Sequence, residues 1–104
     1  MKLSPILTAK PGFHIIETTE RSQTASFTLE PGESSSRKPN VHDQSDQILV
    51  VLRGQLSAEI AGQTAVLREG DTVLVRAKTP HKFTNNGEER AITASIYAPP
   101  AYPG

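Results

Sequence analysis

The sequence GESSSRKPNVHDQSDQILVVLRG, residues 32–54, contains an ordered series of residues from which a fold can be predicted. Gly32 opens the series, and Asn40 and His42 follow with one residue between them. Gln47 comes after four further residues and Gly54 after six more. Side chains two positions apart on an extended segment share a face, so Asn40 and His42 are expected to point in the same direction.

A second series begins fifteen residues after Gly54 and consists of Gly70, Arg76, Lys78, His81 and Asn85. The two series together resemble the two motifs of the cupins. The first cupin motif reads Gly, five residues, His-x-His, three or four residues, Glu, six residues, Gly. The second reads Gly, five residues, Pro-x-Gly, two residues, His, three residues, Asn. The resemblance spans residues 32–54 and 70–85, and it implies a small β-barrel.

The resemblance implies a metal site formed by Asn40, His42, Gln47 and His81. Cupins usually offer a divalent ion three His and one Glu, whereas this set has two imidazoles and two neutral amides. Imidazole suits Zn, Fe, Ni or Cu, and amide oxygens suit harder ions such as Mn. Without a carboxylate the charge of the ion is uncompensated unless an anionic ligand supplies it. Alternatively, the amides are polar lining that hydrogen-bonds to a ligand or to ordered water.

Strand parity extends the predicted site. Gln47 and His81 share faces with neighbouring apolar residues, which gives a predicted substrate pocket of Phe83, Leu49 and Val51. Asp43 and Asp46 have the opposite parity to His42 and Gln47, so neither carboxylate can replace the missing Glu without a bulge or a turn.

Alternation of apolar and polar residues recurs along the chain and predicts strands with one buried face. The apolar residues of these strands are Ala25, Phe27 and Leu29, then Leu56, Ala58 and Ile60, then Ile92, Ala94 and Ile96. Tyr97 falls on the polar face of the last strand, which makes it a poor general acid. The apolar runs Ile48–Leu52 and Val73–Val75 predict strands covered on both sides. We therefore predict an all-β protein, an antiparallel β-barrel or jelly roll.

Composition restricts the classes of partner. The 104 residues suit one domain, residues 1–104, with an extended proline-rich tail at 99–104. Eleven basic residues balance eleven acidic ones, so we expect neither nucleic acid nor a membrane as partner. The absence of Cys excludes disulfides and thiolate ligands. Pro5, Lys10 and Pro11 interrupt any apolar leader, so we expect a soluble, cytoplasmic protein.

Two functions remain open. In the first, the barrel binds a divalent transition metal and a small organic ligand, anionic or neutral. The range of the family then implies a metal-dependent dioxygenase or isomerase if the protein is an enzyme. In the second, the barrel is a metal-free, non-catalytic module that binds or senses a small molecule. The resemblance also implies a homodimer, which agrees with the small core available to a chain of this length.

Overall fold

The computed structural model describes residues 1–104 and contains only β-strands. The eight strands are β1 (Gly12–Thr18), β2 (Gln23–Leu29), β3 (Asp46–Arg53), β4 (Gln55–Ile60), β5 (Gln63–Arg68), β6 (Thr72–Val75), β7 (His81–Thr84) and β8 (Ala91–Ala98). They form a five-stranded sheet in the order β1-β2-β8-β3-β6 and a three-stranded sheet in the order β5-β4-β7. All pairings are antiparallel, so the predicted jelly roll is confirmed. No helix is present that could cross a membrane.

The hydrophobic core lies between the two sheets, because strands of both contribute to it. Its nine members are Leu29, Leu49, Val51, Leu56, Ala58, Leu67, Val75, Phe83 and Ala91. The core includes Leu49 and Val51, which are fully buried there and do not face the cavity described below. Their predicted place in a substrate pocket is therefore wrong. Along β3, the inward side chain of Gln47 lines the cavity, and those of Leu49 and Val51 belong to the core.

Gly54 joins the two sheets at the turn from β3 to β4. Its φ is +78°, and a Cβ atom there would lie 2.6 Å from the carbonyl oxygen of Arg90. Both the left-handed backbone and the close approach of another main chain require glycine. This explains physically why the first series of motif residues ends in Gly54.

The predicted buried face of the last strand is wrong. In β8 the inward residues are Ala91, Thr93, Ser95 and Tyr97, all of which are buried. Ile96, which was expected inside, is 39% exposed on the outer face. At Tyr97 the inner face of β8 borders the cavity described below, and alternation alone does not reveal which face is inside.

The two apolar runs are also not covered on both sides. Ile48 in β3 is 39% exposed and Leu74 in β6 is 49% exposed, whereas the inward residues of both strands are buried or, at Val73, partly buried. Ile48 pairs directly with Leu74 on one side and with Ile96 on the other. The three residues form a continuous apolar row across the outer face of the five-stranded sheet, which we call the outer row.

Candidate functional site

Backbone hydrogen bonds bring the two motifs together at one end of the barrel. Asn40 and His81 exchange both of their main-chain hydrogen bonds, with N···O distances of 2.7 and 2.9 Å. The amide of Lys78 donates to the carbonyl oxygen of His42 at 2.7 Å. Lys78 adopts a φ of +69°, the conformation for which the second cupin motif has glycine. The loop before β7 therefore keeps the turn that places His81 beside His42.

The two histidines lie side by side, with ring centroids 5.1 Å apart. His81 is 3% exposed, and its Nδ1 lies 3.0 Å from the carbonyl oxygen of Thr79. Since a carbonyl only accepts, Nδ1 carries the proton and Nε2 is left as an acceptor or metal ligand. Burial, and then the neighbouring His81, lower the pKa of His42. His42 is therefore neutral at physiological pH and can act as a ligand.

Gln47 on β3 presents an unsatisfied oxygen. Its side chain is 3% exposed, and its Nε2 donates to the hydroxyl oxygen of Ser95 at 3.1 Å. Its Oε1 has no hydrogen-bond partner. A buried carbonyl oxygen without a partner is costly, so this position favours a donor or a cation from outside the protein.

Asn40 is less available than the spacing suggests. Its side chain is exposed, although it borders the same cavity, and its Oδ1 accepts a hydrogen bond from the amide of Val41 at 3.0 Å. Neither nearby aspartate replaces the missing Glu. Asp46 accepts a hydrogen bond from the amide of Ala77, and Asp43 is exposed and outside the cavity wall. No group of three His, Cys, Asp or Glu side chains is placed to hold a metal ion.

These residues surround a cavity of about 220 Å³, smaller than the roughly 300–1,000 Å³ typical of sites for drug-sized molecules. Its wall is largely aromatic: besides the four polar residues of the motifs, it consists of Phe13, Phe27, Phe83, Tyr97, Tyr102 and Ser35. Phe83, a residue of the predicted substrate pocket, lies in this wall. The shape suits a small molecule with a polar end directed at the histidines.

Tyr97 and Tyr102 are cavity residues that the sequence analysis misses. Their rings pack edge-on against His42, at centroid distances of 5.3 and 5.5 Å. Burial, reinforced by the neighbouring Tyr102, raises the pKa of Tyr97. Burial likewise raises the pKa of Tyr102. Both hydroxyls therefore stay protonated as neutral donors. The register of β3 and β8, in which Tyr97 pairs with Gln47, is the signal that would have identified Tyr97.

The donor set fits a divalent cation in part. The imidazoles of His42 and His81 and the free Oε1 of Gln47 supply two nitrogens and one oxygen, a combination that borderline ions accept. No Asp or Glu lines the cavity, however, so the protein supplies no compensating charge. A bound anion would complete the site electrostatically.

Comparison with known proteins gives one family and several similar folds. The family model described as "Cupin domain" matches residues 25–97. The crystal structure of BH2720 from Bacillus halodurans superposes with a TM-score of 0.88 at 22% identity, covering 94% of this chain and 77% of that one. For TT1209 from Thermus thermophilus the TM-score is 0.83 at 24% identity, covering 95% of this chain and 98% of that one.

A third similar structure comes from Thermotoga maritima and is described as a predicted oxalate decarboxylase. Its TM-score is 0.70 at 19% identity, covering 76% of this chain and 67% of that one. At these identities the three structures demonstrate a shared fold. Among curated proteins, no sequence matches the chain significantly.

Proposed function

The chain belongs to the cupin domain family, and from that membership we propose that its barrel binds a small anionic organic molecule together with a divalent transition metal. The observation that carries the proposal is the free Oε1 of Gln47, buried in the wall of the cavity that the imidazoles of His42 and His81 also line. A cation at this place would satisfy the orphaned oxygen and use both histidines.

Three side chains would hold the metal: His42, His81 through Nε2, and Gln47 through Oε1. Asn40 is a weaker fourth ligand because its oxygen already accepts a hydrogen bond. The donor types suit Zn, Fe, Ni, Cu or Mn. When bound, such an ion would act as a Lewis acid toward an oxygen of the ligand. The hydrogen bond from His81 to Thr79 supports this role because it orients the ring and fixes its tautomer.

The anionic character of the ligand follows from the missing carboxylate. A dication among neutral side chains in a poorly solvated barrel needs a counter-charge, and Asp43 and Asp46 do not provide one. The hydroxyls of Tyr97 and Tyr102 stay protonated in the cavity wall, so they would donate to an anionic group in place of their present side-chain partners. A small carboxylate fits the cavity volume, and the similar T. maritima structure described as a predicted oxalate decarboxylase supports that ligand class. With three protein ligands, open metal positions would allow dioxygenase-like or isomerase chemistry.

A second candidate function is metal-free binding of a small polar molecule, as in a sensing module. It is favoured by the neutral lining and by the engaged side-chain oxygen of Asn40. In this form a hydrogen-bond donor of the ligand would satisfy Gln47 directly.

Metal analysis and calorimetry distinguish the two candidates. Protein purified without chelator is analysed for transition metals, then stripped and titrated with Mn²⁺ or Ni²⁺, with and without oxalate as the test anion. We expect metal binding that oxalate strengthens, that His81→Ala abolishes and that the control His14→Ala leaves unchanged, because His14 lies on β1 outside the cavity. No bound or bindable metal under any of these conditions would refute the metal-dependent function. Oxalate binding to stripped protein would support the second candidate.

We further propose that two copies associate through the outer row. The outer row is a contiguous apolar surface formed by Leu74, Ile48 and Ile96. Because the formal net charge of the chain is zero, two copies do not repel each other through net charge. Sedimentation at micromolar concentration should give the mass of a dimer, and Ile48→Glu should shift it to that of a monomer. A monomeric mass for the unaltered protein would contradict the proposal.

A further inference from the structure

The segment Pro99–Gly104, which we call the strap, is held against the barrel by one buried side chain. Gln23 on β2 is 1% exposed. Its Oε1 accepts hydrogen bonds from the amides of Ala101 and Tyr102, at 3.2 and 3.0 Å. Its Nε2 donates to the carbonyl oxygen of Tyr102 at 2.8 Å and to the hydroxyl of Thr18 at 3.0 Å. The amide thus uses both acceptor positions and both donor hydrogens, and three of these four bonds go to the strap.

The strap is also packed closely at its far end. A Cβ atom at Gly104 would overlap the side-chain atoms of Thr18. Such a close approach means that the main chain of Gly104 rests directly on the end of β1, next to the turn that leads into β2. Two points of the strap therefore lie against the barrel, Ala101 through its hydrogen bond to Gln23 and Gly104 through its close approach to Thr18.

Between these points the strap directs one large side chain into the site. The ring of Tyr102 lies 4.9 Å from that of Phe13, 5.3 Å from that of Tyr97 and 5.5 Å from that of His42. It forms part of the cavity wall, although no strand contains it. The cavity is consequently closed on this side by a residue that is held by main-chain hydrogen bonds to Gln23.

We propose that Tyr102 is a ligand-facing residue that limits the size of the molecule admitted to the cavity, and that Gln23 is its positioning residue. The inference rests on the proposed function in so far as the cavity takes a ligand. Gln23 and Tyr97 are directly paired across β2 and β8, so the clamp and the cavity wall share one piece of sheet. Displacing the strap would uncover His42 and enlarge the space beside it.

Two readouts that need neither metal nor ligand test this arrangement. The first is hydrogen exchange at the amides of Ala101 and Tyr102, measured by NMR in the wild type and in Gln23→Leu. The second is the rate at which diethyl pyrocarbonate modifies His42, relative to the exposed His14 in the same sample. We expect both rates to rise about tenfold. This factor corresponds to a loss of ~1.4 kcal/mol from the free energy that favours the closed position of the strap. The matched control is Gln55→Leu, the same change at an exposed position on β4.

Tyr102→Ala separates positioning from general destabilisation. This variant removes a partly buried ring outside the core, and it should accelerate His42 modification even if Gln23→Leu does not fold. If Gln23 acts through Tyr102, diethyl pyrocarbonate should modify His42 in the double variant at the same rate as in Tyr102→Ala alone. Unchanged His42 rates in both single variants, or effects that simply add, would overturn the proposal. Failure of the metal and oxalate titrations would leave these rates unaffected, so the two hypotheses fail separately.

Discussion

Gly54→Ala should destabilise the protein by about 2–5 kcal/mol. A residue with a Cβ at a φ of +78° costs about 1–2 kcal/mol relative to glycine. The new Cβ would also lie 2.6 Å from the carbonyl oxygen of Arg90 and 3.0 Å from the Cα of Ala91. Both are backbone atoms, so the main chain must shift, and Ala91 is fully buried in the core. Overpacking of this kind costs about a further 1–3 kcal/mol. The total is a large part of the roughly 5–15 kcal/mol that stabilises a small domain.

Gly62→Ala is the matched control, because Gly62 has nearly the same φ of +79° and no heavy atom within 4 Å of the place that a Cβ would occupy. It should lose only the backbone contribution of about 1–2 kcal/mol. The effect of alanine on the unfolded chain is the same in both variants and cancels in the comparison. Urea unfolding followed by circular dichroism measures both losses. Equal destabilisation by the two substitutions would refute the close approach as the reason for glycine at position 54.

Gln47→Glu should tighten binding of a divalent metal about 10- to 100-fold by calorimetry, because the attraction between the new carboxylate and the dication exceeds the cost of desolvating the carboxylate. An unchanged affinity would contradict the argument from missing charge. In stripped protein, the lowered pKa of His42 means that the unfolded chain binds more protons than the folded one. The contribution of His42 to the free energy of unfolding should be fully present above pH ~6.5 and should decline as the pH falls from there through the lower pKa of the folded state. The variant His42→Gln should flatten this pH dependence in urea titrations. Asn85→Ala should cost about 2–4 kcal/mol, because the buried amide bonds three main-chain groups, at Leu29, Gly87 and Glu89. The exposed control Asn86→Ala should cost under ~1 kcal/mol in the same thermal melts.

The residues that spacing could locate are those tied to local geometry. Gly54 and Asn85 each satisfy a turn within or next to their own motif, so their positions along the chain carry the information, whereas the bridge of His81 joins it to Asn40 of the other motif. Tyr102 and Gln23 are different, because their contact joins positions 79 residues apart and depends on how the strap crosses the sheet. No local pattern encodes such a contact. Spacing can also identify a position without predicting its contacts. Asn40 matches a ligand position of the motif, but its side-chain oxygen accepts a hydrogen bond from the amide of Val41.

The inverted face of β8 and the exposed outer residues of β3 and β6 show why the sequence pattern could predict these strands but not which face is covered. A period of two assigns residues to two faces without saying which face is inside. That choice depends on neighbours: β8 lies between β2 and β3, where its Ser95 accepts a hydrogen bond from Gln47 and its Tyr97 lines the cavity together with Gln47. Polar groups turned inward are stable only if they are satisfied by one another or by a ligand, and the free oxygen of Gln47 indicates the latter. The apolar groups turned outward form the outer row, which would be better stabilised if covered. The reversed face of β8 thus contributes Tyr97 to the proposed binding site inside the barrel and Ile96 to the proposed association surface outside it.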